Sequence, residues 1–291
     1  MRLLLRFSAI FAIVFGIGLS AAAWLGYRVL QADARQQVLQ QAELMMEAMQ
    51  SARNYTTTQI KPMLQTLQSH QRAFLPQTVP AYAATENFNY LRTKYPDYSY
   101  KEATLNPTNL RDRAVDWETD VINSLRDRPD QKQVAGERQS GTGPSLYLAK
   151  PIKVQQPCLD CHDVPRLAPA AMVRRYGPNN GFGWKKGETI GAQIVSVPMS
   201  VPLKMADDAF KAMLISLSLV FLVTLIALNV VIYFTVARPA ALLSAMADRI
   251  SLGDLDVPEL PVHGRDEISV LAESFNRMRR SLVTAMKMLE S

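Results

Sequence analysis

The sequence predicts an α+β protein held in a membrane by two transmembrane helices. Three observations support this prediction: two long stretches contain no charged residue, strand-like runs flank a compact cysteine motif between them, and apolar residues recur at heptad spacing near the C-terminus. The stretches predict helices that cross a bilayer, the runs predict an antiparallel sheet, and the heptads predict a helical module after the second span.

The two uncharged stretches are residues 7–27 and residues 212–237. As helices they would be about 32 Å and about 39 Å long, enough to cross a bilayer core of about 30 Å. Small residues at 20–23 leave open a cleaved signal peptide for the first stretch. Its apolar run is longer than that of a usual signal peptide, however, which favours a retained anchor.

Basic residues predict the orientation of the chain in a bacterial inner membrane. Arg2 and Arg6 precede the first span and Arg238 follows the second, and such residues accumulate on the cytoplasmic side. Both termini are therefore expected in the cytoplasm and the region between the spans in the periplasm. The predicted segments are a cytoplasmic N-terminus at 1–6, spans at 7–27 and 212–237, a periplasmic domain at 28–211 and a cytoplasmic module at 238–291.

The periplasmic domain is expected to begin with a long helix. Residues 28–75 are mainly polar with apolar residues at helical spacing, and Pro62 should kink or break this helix. Aromatic residues interleave with prolines over 76–135, which predicts an irregular region with two short helices. The further elements expected are helices at 86–94 and 110–126, strands at 145–154 and 189–199, and a glycine-rich loop or hairpin at 176–184.

The pentapeptide CLDCH at 158–162 is the most specific chemical signal in the chain. Cys158 and Cys161 have the spacing at which two thiols add to the two vinyl groups of a haem, and His162 follows where an imidazole can reach the iron. Three alternatives stay open: a disulfide, a redox-active CxxC pair, and half of a zinc site. Zinc would need two further Cys or His ligands, and only His70 and His263 remain.

Charge gives no support to nucleic-acid binding. The net charge is +6, and residues 28–211 contribute most of it with 23 Lys and Arg against 18 Asp and Glu. A basic excess on a periplasmic domain is more consistent with a surface near anionic lipid, or with a face that docks an acidic partner, than with nucleic acid.

Five segments in chain order resemble one bacterial family. They are YKEATLNPTN at 100–109, AVDWE at 114–118, CLDCH, APAAMVRRYGPNNGFGW at 168–184 and GAQIVSVPM at 191–199. The family consists of membrane-anchored periplasmic c-type haem sensor domains with a PAS-like fold. The resemblance covers about residues 30–210. It implies one covalently bound haem c per chain and a sensory role.

The haem iron is expected to take His162 as its proximal ligand, and the sixth position stays open. His70 is the other histidine of the periplasmic domain, several methionines are available, and a position without a protein ligand would suit gas binding. The methionines are Met45, Met46, Met49, Met63, Met172 and Met199. Arg53 and Tyr55 could pair with the haem propionates, and the loop at 176–184 is expected to lie over the cofactor.

The C-terminal module contains two heptad seams joined by a connector rich in Gly and Pro. The seam positions are Pro239, Leu243, Met246 and Ile250, then Ile268, Leu271, Phe275, Met278, Leu282, Ala285 and Leu289. So short a pair of helices needs a second chain for stability. The segment is similar to the HAMP linker of bacterial receptors, which implies a parallel four-helix bundle in a homodimer, with Glu267 at the start of the second helix.

These features together favour a haem-c redox or gas sensor rather than an enzyme. The signal is expected to pass through the HAMP dimer to a separate output protein, because only two residues follow the last seam position. The stimulus would be a small gas or a redox carrier. The alternative is a membrane-anchored monohaem cytochrome that transfers electrons, but such a cytochrome needs no conformational relay across the bilayer.

Overall fold

The computed structural model describes residues 2–65, 73–254, 256–261, 264 and 266–289. The chain divides into two compact units. One unit is Arg28–Ala209, and the other combines Met1–Tyr27 with Phe210–Ser291.

The N-terminal helix extends well beyond the first uncharged stretch. Helix α1 is Arg2–Tyr55, a π-helical segment follows at Thr56–Ile60, and helix α2 is Lys61–Gln65. Instead of the kink or break expected at Pro62, the helix has a widened, π-helical turn that ends two residues before the proline. Such a turn accommodates a ring that lacks an N–H and crowds the preceding turn. The helix predicted over 28–75 is wrong at its end, because 73–75 are not helical.

A four-stranded antiparallel sheet forms the centre of the unit Arg28–Ala209, as the sequence predicts. Its strands are β1 (Ser99–Thr104), β2 (Val134–Ser140), β3 (Gly143–Lys153) and β4 (Thr189–Pro198), in the spatial order β1-β4-β3-β2. The expected strands 145–154 and 189–199 correspond closely to β3 and β4. The prediction missed β1 and β2, which lie in or at the end of the region expected to be irregular.

The two faces of the sheet pack against different helices, because successive side chains of a strand point to opposite sides. On the α1 face, Val38 and Met46 pack with Leu148 and other residues of β3 and β4. The opposite face packs against helix α4 (Asp116–Asp127) and is called the α4 face here. Its buried residues are Ala103, Val121, Ile122, Leu125, Ala149, Ala192 and Ile194.

The two helices predicted at 86–94 and 110–126 are present with shifted bounds. Helix α3 is Pro80–Arg92, and it starts with the proline at a position where the ring's missing N–H costs nothing. The helix expected at 110–126 is split into a 3-10 turn at Leu110–Asp112 and helix α4. Glu118 explains the later start of α4, since its carboxylate accepts the backbone N–H of Val115 at 3.0 Å.

Two helices in the described part of the chain are long and apolar enough to cross a membrane. The apolar windows have mean hydropathies of 2.1 and 2.7 within the helical stretches Leu4–Leu64 and Ser200–Ser251. Helix α7 is Ser200–Ile232, and a π-helical segment at Tyr233–Ala237 follows it directly before Pro239. The two apolar segments contact each other through Phe15 and Phe221, whose ring centroids are 5.3 Å apart.

The C-terminal module consists of helix α8 (Arg238–Ser251), a connector, and helix α9 (Glu267–Leu289). Helix α9 begins at Glu267 as expected. Leu243 of α8, Leu260 of the connector and Ala272 of α9 are buried together. Asn276 fixes the connector, because its amide accepts the N–H of Leu260 at 3.0 Å and donates to the carbonyl of the same residue at 2.9 Å.

Candidate haem-binding site

The cysteine motif lies in the segment of the chain that connects the two central strands, β3 and β4. After β3, Val154 continues the backbone pairing by donating to Glu188 and accepting from Gly187, both at 2.9 Å. The chain then forms a 3-10 turn at Gln156–Cys158 and helix α5 (Leu159–His162). The motif is thus part of an insertion, residues 155–186, whose flanking residues pair with each other where β3 ends and β4 begins.

Both cysteine thiols are free and partly exposed. Cys158 and Cys161 lie about one helical turn apart, which is the separation that the vinyl groups of a haem require. Burial raises the pKa of the Cys161 thiol, while the positive charge of Lys61 in helix α2 acts in the opposite direction. Helix α2 therefore lies close enough to the motif for its lysine to act on the thiol.

The ring of His162 has a defined hydrogen-bonding state. Its Nδ1 lies 2.7 Å from the carbonyl oxygen of Gly181 and 3.4 Å from the Oγ1 of Thr108. A carbonyl can only accept, so Nδ1 carries the hydrogen and Nε2 keeps its lone pair in the neutral ring. Burial lowers the pKa of His162, which favours this neutral form. Histidines that ligate metals have this arrangement, with one ring nitrogen donating to a carbonyl and the other free for the metal.

Trp184 fixes the plane of the same imidazole. The two rings are stacked with their centroids 3.8 Å apart and their planes 12° from parallel. The backbone N–H of Trp184 donates to the backbone carbonyl of His162 at 3.2 Å, and the backbone N–H of Gly183 donates to that of Asp163 at 2.6 Å. The loop predicted at 176–184 is therefore hydrogen-bonded along the end of the cysteine motif.

Gly181 allows this loop to approach the segment that contains Thr108. Its φ is +77°, and a Cβ there would lie 2.0 Å from the Thr108 Oγ1 and 2.8 Å from its backbone nitrogen. No larger residue fits without movement of the backbone. Three of the sequence segments quoted above, those at 100–109, 158–162 and 168–184, thus meet around one imidazole. Gly181 and Thr108 were not expected from the sequence, although the glycines of GPNNGFGW at 177–184 were a visible signal.

The other predicted site residues lie in different surroundings. Arg53 forms an ion pair with the buried Glu102, which also accepts the Tyr100 hydroxyl at 2.8 Å. Tyr55 is 60% exposed, and His70 lies outside the described residues. Among the methionines, Met46 and Met199 are fully buried in the core of the α1 face, with Met45 and Met49 packed against it. Met172 is buried in helix α6 (Ala170–Tyr176), and Met63 is 59% exposed.

The residues around His162 fit a haem and fit the alternatives less well. Two free thiols at vinyl spacing, followed by an imidazole with Nε2 as its unprotonated nitrogen, are the donor set of a haem bound through cysteine. The cysteines form no disulfide with each other. Among the described residues there is no group of three or more His, Cys, Asp or Glu side chains that could hold a metal ion such as zinc.

The fold and this site define a haem-binding sensor domain joined to a signalling linker, and comparisons with known proteins give the family. Residues 31–198 match the model of the Tll0287-like family and residues 231–284 match that of the HAMP domain. The chain belongs to the Tll0287-like family, which is a haem-binding PAS-like family, and it carries a HAMP domain. The resemblances seen in the sequence are thereby confirmed.

One solved structure is also similar, that of a cyanobacterial haem protein, Tll0287. It has 15% sequence identity and a TM-score of 0.43, and the alignment covers 55% of this chain and 94% of that one. A comparison with curated proteins gave no match.

Proposed function

We propose that this protein is a membrane-bound sensor that binds one haem c covalently and transmits the state of its iron through a HAMP dimer to a signalling output. The observation that carries this proposal is the Nδ1–H donation from His162 to Gly181, which leaves Nε2 for the iron directly beside two free cysteines. Both families found are sensory and signalling families rather than enzymes. Bound haem would supply redox chemistry and an iron centre for small gases.

The proposed topology places the haem domain in the periplasm and both termini in the cytoplasm. Two uncharged spans and the basic residues at their outer ends support this arrangement. Covalent attachment of haem c takes place outside the bacterial cytoplasm, so a haem motif between the spans requires the same orientation. Anionic lipid at the membrane surface would face the basic excess of the domain.

Covalent attachment can be tested with the full-length protein produced in cells that mature c-type cytochromes. Haem should remain on the polypeptide in a denaturing gel, and Cys158→Ala/Cys161→Ala should lose it. Asp160→Ala, an exposed change between the two cysteines, is the matched control and should retain haem. A wild-type mass equal to that of the bare polypeptide would refute covalent attachment.

The proposed homodimer uses the apolar seam that a single chain leaves exposed on helix α9. Ala272 and Asn276 face the connector, whereas Leu271, Met278 and Leu282 are 54%, 56% and 44% exposed. These three residues recur at spacings of seven and four, as in a coiled-coil seam. A second copy of the helix pair would bury them.

Cysteine crosslinking tests this dimer, because both natural cysteines would be in thioether bonds. Single cysteines at Leu271 or Met278 should crosslink between chains in membranes. A cysteine at Glu273, which is 58% exposed and not part of the seam, should crosslink much less. Equal crosslinking at all three positions would contradict the parallel dimer.

The sensory role requires that the state of the iron changes the helices. A ligand or redox change can shift such an equilibrium only by its difference in affinity for the two states, about 1–3 kcal/mol in typical coupled systems. Crosslinking along α7 and α9 should therefore differ between oxidised, reduced and nitric-oxide-treated protein. Identical patterns together with rapid electron exchange with soluble carriers would instead favour the electron-transfer cytochrome.

A further inference from the structure

A cavity lies on the α4 face of the sheet, and its lining does not include the cysteine motif. Its volume is about 260 Å³, and its walls come from α3, β1, the 3-10 turn, α4 and β4. Ligand pockets for drug-sized molecules usually have about 300–1,000 Å³, so this cavity suits a smaller molecule. It lies within the unit Arg28–Ala209 and is not needed for any step proposed above.

Three cationic side chains line the cavity, and two of them are compensated. Lys101 donates to the Glu118 carboxylate at 2.6 Å and to the Arg113 carbonyl at 2.7 Å. Arg111 forms ion pairs with Glu86 at 2.5 Å and with Asp112 at 3.5 Å. Asp112 and Glu118, the two carboxylates that line the cavity, are thus both engaged in ion pairs.

The third cation is Arg92 at the end of helix α3. Within the described parts of the chain, no carboxylate forms an ion pair with its guanidinium, which is exposed at the rim of the cavity. The fork of a guanidinium matches a carboxylate better than it matches a single-point acceptor. The cavity therefore has one positive charge that an entering anion would neutralise.

The rest of the lining suits the body of a small organic molecule. Trp117 lines the cavity with an indole ring that also contacts the Arg138 guanidinium at 4.3 Å and the Tyr147 ring at 5.4 Å. Ser99 and Ser196, which are paired in register on β1 and β4, offer hydroxyl groups. Asp112 is only 21% exposed, and burial raises its pKa to about 6.

We infer that this cavity binds a small organic carboxylate, with Arg92 pairing with its carboxyl group and Trp117 packing against its carbon skeleton. The site is separate from the haem motif, because none of the residues that line the cavity belongs to 158–162. It would give the domain a second chemical input.

Isothermal titration of the full-length protein in detergent tests this site, with benzoate and succinate as probes and choline as a cationic control. At least one carboxylate should bind saturably, and choline should not. Arg92→Ala should weaken binding about tenfold or more, the effect expected from losing a charge-assisted hydrogen bond. Arg128→Ala removes an exposed arginine that does not line the cavity and should leave binding unchanged.

A variant that fills the cavity gives a second, independent readout. Ser99→Leu places an apolar side chain in the lining and should abolish carboxylate binding. The proposal is overturned if neither carboxylate binds saturably, or if Arg92→Ala or Ser99→Leu binds as tightly as the wild type. The haem content of each sample, measured by absorbance, keeps this result distinct from failure of the proposed haem attachment.

Discussion

Replacement of Gly181 by alanine would test whether its close contact with Thr108 orients His162. At a φ of +77°, a residue with a Cβ is strained by about 1–2 kcal/mol. The new Cβ would also meet the Thr108 backbone nitrogen at 2.8 Å, and no side-chain rotation relieves that contact. Overpacking of this kind costs about 1–3 kcal/mol more. We expect Gly181→Ala to lower the free energy of unfolding by about 2–5 kcal/mol in total.

Gly183→Ala is a matched control for this prediction. Gly183 has a φ of +78°, and nothing lies within 4 Å of its added Cβ. This variant should therefore lose only the backbone contribution of about 1–2 kcal/mol. Urea denaturation of both variants, monitored by circular dichroism, gives the comparison. Equal losses would refute the argument that the approach to Thr108 matters.

The same pair of variants also tests the role of the loop at the iron. Movement of the Gly181 carbonyl would weaken the hydrogen bond from the His162 Nδ1–H, and that bond raises the basicity of Nε2. The midpoint potential of the haem should change in Gly181→Ala and stay near the wild-type value in Gly183→Ala. A lower stability with an unchanged potential would limit Gly181 to a role in packing.

Three further changes have expected outcomes in denaturation experiments. Glu102→Gln leaves the charge of Arg53 unpaired in the interior and should lower the free energy of unfolding by about 3 kcal/mol. Burial raises the pKa of Asp112 to about 6, so the folded state binds more protons than the unfolded one between about pH 4 and pH 6. The wild type should thus lose stability as pH rises through this window, and Asp112→Asn should not. Asn276→Asp removes the donor to the Leu260 carbonyl and should lower the stability of the HAMP module by about 1–3 kcal/mol.

Each of these changes has its own control or contrary outcome. Glu137→Gln breaks an exposed ion pair with Arg35 and should change the stability by less than about 1 kcal/mol. If it costs as much as Glu102→Gln, burial does not explain the effect. A stability difference between Asp112→Asn and the wild type that is the same at pH 4 and pH 7 would show that Asp112 does not titrate as stated. Glu273→Gln, an exposed change on α9, should leave the HAMP module unaffected.

The central strands β3 and β4 were predictable because apolar residues predominate in them, whereas β1 and β2 were not. Strand β1 contains Lys101 and Glu102, whose ion-pair partners Glu118 and Arg53 come from other elements of the chain. A sequence pattern cannot show such partners, so β1 appears too polar for a strand. Strand β2 is an edge strand, and none of its residues is fully buried. Its sequence, VAGERQS, therefore needs no alternating apolar residues, and the pattern that identifies a strand is missing.

The site was predictable to a similar extent. The cysteine motif is local, and its spacing alone indicates the chemistry of the two thiols and of His162. The groups that orient His162 are not local, since Gly181 and Thr108 come from loops on either side of it in the sequence. The expected role of Arg53 illustrates the same limit. Its partner Glu102 is 49 residues away in the sequence, so the pairing only becomes visible in the fold.

The loop 105–115 contacts His162 and also forms part of the wall of the proposed carboxylate cavity. Thr108 lies against the imidazole, and three residues later Arg111 and Asp112 line the cavity. Asn109 connects the two, because its side chain accepts the N–H of Arg111 and caps the 3-10 turn. The part of the loop at Thr108 cannot move towards Gly181, because the two residues are already in close contact. A ligand that shifted the 3-10 turn would therefore displace Thr108 and change the contacts that orient His162. By reciprocity, the state of the iron would alter the affinity of the cavity for its ligand.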